Sequence, residues 1–310
     1  MVQVSIIIVN YNCKNELPPC VQSIVDWTNG VNYEIILVDN ASTDDSILLI
    51  KKLFPQIRII ENGKNLGFGA ANNVGAQVAN GEYLLLLNPD TILLNNAVKF
   101  FYDFALSNKH KNYGAIGGLL LNERMEPANI GGNFPSLLQL FSDLGFRVFY
   151  KKYYQKNISL LGTIHTLAED HIIDCICGAD LFIEKKIFHK IGGFDEDYFL
   201  YYEDTDLCFR LVKAGYSNII CTKVSIQHLE SVSIVDNRAD RINERKFIFF
   251  ENGKQLFFKK SYGSKTLPIV KLFSVLFLFT RWVVHRGDVK KYFRMMRVVC
   301  SKSIVSNKRF

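Results

Sequence analysis

The apolar positions of this chain change period repeatedly along its first 230 or so residues. Val4–Val9 (VSIIIV) is almost continuously apolar and β-branched, the texture of a parallel strand buried on both faces. Glu16–Thr28 then takes helical spacing. Tyr33–Val38 (YEIILV) is a second strand that ends at Asp39, and a helix capped by Ser42 or Thr43 runs to about Phe54. Ile57–Glu61 is a third, short strand, Gly67–Asn80 a helix with small residues on one side, and Tyr83–Leu87 (YLLLL) a central strand running into Asn88-Pro89-Asp90. Asn95–Asn108 is again helical. This alternation predicts an α/β fold, an open and mostly parallel sheet covered by helices. Ligands of such sheets sit beyond the carboxyl ends of the strands, where Asp39 and Asp90 both fall.

Past Gly114–Leu120 the rhythm breaks. Glu123–Asp170 is irregular, either an insertion lining an acceptor groove or a surface excursion. Ile172–Ile183 resumes as strand, Gly192–Glu196 is a turn, Glu203–Ala214 is helical, and Ser225–Leu229 closes the body. No internal repeat is present.

Charge divides the chain more sharply than pattern does. Of 37 Lys+Arg and 30 Asp+Glu, 17 and 3 lie from Arg241 onward, so residues 1–240 hold 20 and 27. An acidic body therefore carries a basic tail, and a domain boundary at 240/241 rests on that shift. Within the tail, Leu272–Thr280 (LFSVLFLFT) is flanked by Lys271, Arg281 and Trp282. The run is shorter than the roughly 20 residues a spanning helix needs, but suits an interfacial helix on anionic lipid. The alternative is a last helix packed on the body with a solvated basic face; nucleic acid is not expected as a partner. With 48% apolar and 22% charged residues the chain can bury a large core. Seven scattered cysteines and no basic leader before Val4 fit a reducing, cytoplasmic-side location rather than a disulfide scaffold.

Four stretches carry candidate chemistry. Gly67-Phe68-Gly69 is neither a Walker loop nor GxGxxG; it is a tight turn or a place where amides meet a phosphate. Asp39, at a buried strand end, can accept from the imide N–H that uracil and thymine share, with Asn40 assisting, or can cap a helix. Asp90 can hold Mg2+ or Mn2+ with diphosphate oxygens completing the shell, or Asn88-Pro89-Asp90 is only a turn. The densest signal is Phe194–Leu207, where six of fourteen residues are acidic and large aromatics lie between them. Glu203 and Asp206 share one helical face, leaving Asp204 free to point into an aromatic-walled cleft, kept ionised by the helix N-terminus, as a base for a hydroxyl; the alternative is an N-terminal helix cap with ordinary first-turn acids. His228, at a strand end, is either an ordinary histidine or a further metal contact. Cys175 and Cys177 have the wrong spacing for zinc and read as core.

Together these stretches resemble the family 2 glycosyltransferases, nearest the rhamnosyltransferase-type members that build bacterial surface polysaccharide. The matching segments are Val4–Asn12, Val38–Ser46, Asn65–Thr91, Gly178–Asp180, Gly192–Tyr216 and His228, in order over about residues 1–235. The resemblance implies a GT-A fold: one αβα sandwich at 1–240, with a nucleotide-binding half to about residue 120, an acceptor half to 240, and the basic helical tail at 241–310. It implies an inverting, usually metal-dependent enzyme. Asp204, with Glu203 beside it, is then the catalytic pair. Asn10, Asp39, Asn40, Asn65, Gly67, Asn72, Asn88 and Asp90 face the donor, and Asp90 and His228 hold Mg2+ or Mn2+. The family's Asp-x-Asp metal motif stands here as Asn88-Pro89-Asp90, a departure shared with the rhamnosyltransferase-like group. The implied donor is dTDP-L-rhamnose, with a UDP-hexose (galactosyl, glucosyl or N-acetylglucosaminyl) as the alternative. The acceptor is a polyprenyl-diphosphate-linked saccharide or growing surface glycan, the location the cytoplasmic face of the membrane, and a homodimer is compatible. A catalytically silent sugar-nucleotide or glycan-binding protein is the reading from another class.

Overall fold

In a computed structural model of the chain, the described residues are 1–144, 169–229, 235–236, 241–285 and 288–301. In chain order the first elements are β1 (Val4–Asn10), α1 (Leu17–Trp27), β2 (Tyr33–Asp39), α2 (Ser46–Leu53), β3 (Arg58–Glu61), α3 (Phe68–Val78), β4 (Tyr83–Leu87), β5 (Thr91–Leu93) and α4 (Ala97–Ser107). β6 (Tyr113–Leu121), β7 (Gly131–Gly132), α5 (Leu137–Asp143), β8 (His171–Ile173), β9 (Cys175–Ile176), β10 (Asp180–Glu184), α6 (Lys185–Ile191), α7 (Glu203–Lys213) and β11 (Ser217–His228) follow. After the short pair β12 (Val235–Asp236) and β13 (Arg241–Ile242) come α8 (Glu244–Tyr262), α9 (Leu267–His285) and α10 (Val289–Cys300).

The architecture is α/β, with a central sheet flanked by helices. Its nine strands run β3-β2-β1-β4-β10-β6-β11-β5, with β8 paired to β11. The first four are parallel, as the apolar runs predict; β1 and β4 are buried along their whole length and β2 over Ile35–Asp39, while β3, at the sheet edge, is half-buried or exposed. The second half is mixed rather than parallel: β10 runs antiparallel to β4 and β6, and β5 and β8 antiparallel to β11. Periodicity identifies a strand but not its direction, which the connection decides.

Other expectations shift locally. The expected strand Ile172–Ile183 is three, β8, β9 and β10, broken at Asp174 and at Cys177–Ala179. The helix expected to cap on Ser42 or Thr43 starts at Ser46, because the Ser42 hydroxyl donates to Asp39 instead. Pro18 and Pro19 sit in the first turn of α1, where a missing N–H costs nothing. Part of the Glu123–Asp170 insertion falls outside the described residues.

The boundary at 240/241 does not separate a tail from a body. Helix α8 is capped by Asn243, whose side chain accepts from the Lys246 amide, and buries Phe257 and Phe258 completely. Those rings form a second core with Leu256, Val270, Tyr198 and Tyr202. The aromatics expected to wall a cleft, Tyr198 and Tyr202, are thus interior packing. Lys260 of α8 also pairs with Asp195 and Asp197, so part of the acidic cluster is structural. Charge asymmetry marks surface composition, and surface composition is blind to this buried seam. The tail's apolar run is also longer than Leu272–Thr280. Ser264–Val284 is a 21-residue segment long and apolar enough to cross a bilayer by length and composition.

Phe257→Ala should lower the unfolding free energy by about 3–5 kcal/mol, as other fully buried Phe truncations do. The readout is a lower urea midpoint at constant slope; an unchanged midpoint would mean that α8 is an appendage.

Candidate active site

The parallel register places Asn10 opposite Asp39 at the carboxyl ends of β1 and β2. Both are buried, and the Asn10 amide nitrogen lies 2.9 Å from Asp39 Oδ1 and 2.8 Å from Ser46 Oγ. Ser42 donates to Asp39 twice, from its hydroxyl at 2.6 Å and from its amide at 3.0 Å. Asp39 is thereby fixed as an acceptor at the strand end.

Asn40, Asn65 and Asn72 have a different employment. Asn40 Nδ2 donates to the Gly67 carbonyl at 3.0 Å, and its Oδ1 accepts from Asn62 and from the Leu66 amide. Asn65 Oδ1 accepts from the Gly67 amide at 2.9 Å, and Asn72 Nδ2 donates to the Phe68 carbonyl at 3.1 Å. These amides shape the loop that enters α3. Gly67 is required at its centre: its φ is 87°, and a Cβ there would lie 2.3 Å from the Phe199 carbonyl oxygen. That same carbonyl accepts from the Phe68 amide at 3.0 Å, so the loop is sealed onto the acidic segment of the other half.

At the end of β4 the chain delivers Asn88 and Asp90. The antiparallel pairing of β5 with β11, His228 opposite Thr91, carries His228 to the same place. Its Nε2 lies 3.4 Å from Asp90 Oδ1 and 3.4 Å from Asn88 Nδ2. A carboxylate oxygen and an imidazole nitrogen at that separation can share one divalent ion, since each ligand would sit about 2.1 Å from it. Among the described residues no group of three or more His, Cys, Asp or Glu converges for a metal. Asp90 and His228 therefore fit a divalent cation whose remaining ligands come from a bound diphosphate.

The last component is the turn into α7. Tyr201 and Tyr202 both hold left-handed backbone, φ 69° and 72°, conformations that aromatic residues rarely adopt. Helix α8 passes directly behind them, and a Cβ on Gly253 would lie 2.5 Å from the Tyr201 carbonyl oxygen. The turn sets Glu203 inward and aims Asp204 at Gly178, whose amide donates to Asp204 Oδ2 at 3.0 Å. Next in sequence, the Ala179 carbonyl accepts from the Asn88 amide at 2.9 Å. Three consecutive residues, Gly178–Asp180, thus connect Asp204 to the Asn88–Asp90 corner. Asp206, facing away, accepts from Arg210 Nε at 2.7 Å.

Burial governs the carboxyls here. It pushes Asp204 above the ordinary carboxylate range, against the pull of the Gly178 and Thr205 amides. The expectation is that the helix N-terminus keeps Asp204 ionised; the desolvation of the buried carboxyl works against that and is the larger effect on its pKa. Glu203 is also raised, well above the ordinary range, by burial and then by the charge of Asp204, and among the described residues Glu203 Oε2 has no hydrogen-bond partner. Two adjacent buried carboxyls of this kind disfavour being charged together. Asp180 is pushed up to about 7 by burial, opposed by the Gly118 amide at 2.7 Å and by His228. Neither Gly178–Asp180 nor Gly253 carries a sequence signal for its place here, because each matters through its packing alone.

The glycosyl transferase family 2 model matches residues 5–158. A low-salt glycan biosynthesis hexosyltransferase of Haloferax volcanii is 26% identical over 286 residues, 91% of this chain and 83% of that protein. An N-acetylglucosaminyl-diphospho-decaprenol L-rhamnosyltransferase of Mycobacterium tuberculosis is 26% identical over 209 residues, 63% of this chain and 66% of that protein. Among solved structures, GalNAc-T7 with UDP, GalNAc and Mn2+ superposes with a TM-score of 0.59 at 15% identity, over 98% of this chain and 55% of that one.

The Asp180 carboxyl holds its proton in the fold well above the 3.8 of an unperturbed Asp. Its contribution to stability is present below about pH 4 and is lost as the pH rises toward 7. In metal-free protein, Asp180→Asn should flatten the decline of unfolding free energy across that window. An unchanged slope would contradict the assignment.

Proposed function

Because the chain is a family 2 glycosyltransferase of the GT-A fold, we propose that it moves a hexosyl group from a UDP-hexose to a hydroxyl of a lipid-linked saccharide, with inversion at the sugar carbon. The observation that carries the reading is the meeting of Asp39, the Asp90–His228 pair and Asp204 at one sheet edge. Asp39 offers the acceptor atom that a pyrimidine imide needs. The relative that matches nearly the whole chain is a hexosyltransferase, and the solved neighbour holds UDP. The rhamnosyltransferase similarity supports a second reading, dTDP-L-rhamnose as donor, because thymine presents the same imide edge. That relative's diphospho-decaprenol acceptor supports a lipid-linked saccharide here.

Asp204 accepts the proton of the acceptor hydroxyl as that oxygen bonds to the anomeric carbon. The bond from that carbon to the diphosphate breaks, and its electron pair leaves with the diphosphate on the opposite face. Glu203, buried beside it, has its charged form disfavoured by burial and by the charge of Asp204. The Gly178 amide orients the Asp204 carboxylate. Asp90 and His228 are the residues that would hold Mg2+ or Mn2+. Such an ion, when bound, supplies positive charge against the leaving diphosphate.

Asp204→Asn should cut turnover by about 10²–10⁴-fold, the usual worth of a positioned base, while donor affinity by calorimetry stays nearly constant. Unchanged turnover would remove Asp204 from the mechanism. Turnover of the wild type should rise with pH through a value above that of an ordinary Asp, since the base must be ionised.

Asp90→Ala should weaken donor binding in the presence of Mn2+ and abolish the difference between Mn2+ and EDTA. Calorimetry with UDP-glucose, UDP-galactose, UDP-N-acetylglucosamine and dTDP-L-rhamnose checks this and ranks the donors. Preference for dTDP-L-rhamnose would replace the UDP-hexose reading.

A further inference from the structure

Helix α9 is amphipathic in an unusual sense, because both of its faces are apolar. One face, Val270, Ser274 and Leu278, is buried; Val270 packs with the α8 rings Phe257 and Phe258, and Leu278 with Tyr292 and Met295 of α10. The other face carries Ile269, Leu272, Leu276, Phe279 and Val283, at successive spacings of three and four residues, which is a single helical stripe. Each of these five is between 37% and 55% exposed. The stripe is about 21 Å long at helical rise. On α10, Phe293 adds a ring that is 64% exposed.

The charge around this stripe is mainly positive, although Asp288 caps α10 and Glu244 pairs with Arg294. Helix α10 contains Lys290, Lys291, Arg294 and Arg297 and no acidic residue, and Lys265, Lys290 and Arg297 are exposed. An apolar stripe amid basic side chains is complementary to lipid with anionic head groups. It is not complementary to itself, since a second copy would bring like charges together.

We propose that the α9 stripe, with Phe293, lies in the interfacial layer of an anionic bilayer, the helix axis in the membrane plane. The helix is long enough to cross, but crossing would separate Val270, Ser274 and Leu278 from α8 and α10. It would also carry Lys271 and Arg281 into hydrocarbon, an expensive transfer. Lys271 Nζ donates instead to the Ser301 carbonyl at 2.7 Å, anchoring α9 to the end of α10. Helix α8 lies between the docked helices and the Tyr201–Tyr202 turn, so the docking face and the Asp204 site belong to one packed unit.

The test is cosedimentation of the full chain with vesicles of phosphatidylcholine, with or without phosphatidylserine; it needs no turnover and stands apart from the transferase reading. Wild type should bind the anionic vesicles, and high salt should weaken that binding. The exposed triple variant Leu272→Glu/Leu276→Glu/Phe279→Glu should lose binding by about 100-fold or more, with its far-ultraviolet circular dichroism unchanged. Lys290→Glu/Arg297→Glu should lose about tenfold on anionic vesicles only. Leu48→Glu, at an exposed leucine on α2, should bind as wild type. Equal binding by wild type and the triple variant overturns the proposal. So does a vesicle-free dimer that the triple variant abolishes, which would assign the stripe to a second copy. Protection of α9 labels from both sides of the vesicle, with resistance to alkaline extraction, would overturn the in-plane orientation.

Discussion

The antiparallel placement of β10 against β4 is the constraint on which this site depends. β4 ends at Leu87 where β10 begins at Asp180, the two residues paired in register. A strand running the other way at that position would have put its start at the opposite edge of the sheet. As built, the chain returns from the second half of the molecule at the edge where β1, β2 and β4 release their polar ends. Gly178–Asp180 then has Asn88 on one side and Asp204 on the other. Two hydrogen bonds from two consecutive residues, Gly178 and Ala179, hold the candidate base in fixed relation to the candidate metal corner.

Precision of that order needs rigid backing, and the backing comes from far along the chain. The turn that aims Asp204 is strained, with two successive tyrosines in left-handed conformation. Strain of this kind, of order 1–3 kcal/mol per residue, persists only where surrounding structure overdetermines it. Here α8 supplies the constraint, through a glycine pressed on the Tyr201 carbonyl, the buried Phe257 and Phe258, and Lys260 on Asp195 and Asp197. The strongly basic C-terminal region is therefore two things at once. Its first helix backs the turn that carries the candidate base, and the next two present a different surface outward.

Electrostatics follow from the same burial. Asp180, Glu203 and Asp204 are all raised chiefly by loss of water, and each is partly offset by amide donors, joined at Asp180 by His228. A compact group of reluctant carboxylates is costly for folding and useful for proton transfer, because a base poised above the ordinary Asp range holds an abstracted proton better. Arg210 is spent on Asp206, one turn away and on the other face of α7, so Asp204 is not neutralised by it.

Much was legible in the sequence because it rests on local period. The buried parallel strands, the helices between them and the polar strand ends all follow from runs such as VSIIIV and YLLLL, whose apolar faces have no alternative to burial. Asp39 and Asp90 could be singled out because an acid at the end of an apolar run is conspicuous, and Asp204 because acids crowd among large aromatics in Phe194–Leu207. What the tertiary structure alone decided are relations between distant residues. Strand direction in the second half, the return of His228 to Asp90, the role of Gly178, and the packing of α8 behind Tyr201 and Tyr202 depend on contacts made tens of residues apart. So does the assignment of Asn40 and Asn65 to loop architecture, since which group an amide meets depends on how the chain closes. Period and composition record how each segment prefers to meet water; they carry no information on which segments meet each other, and that pairing is what assembled the site.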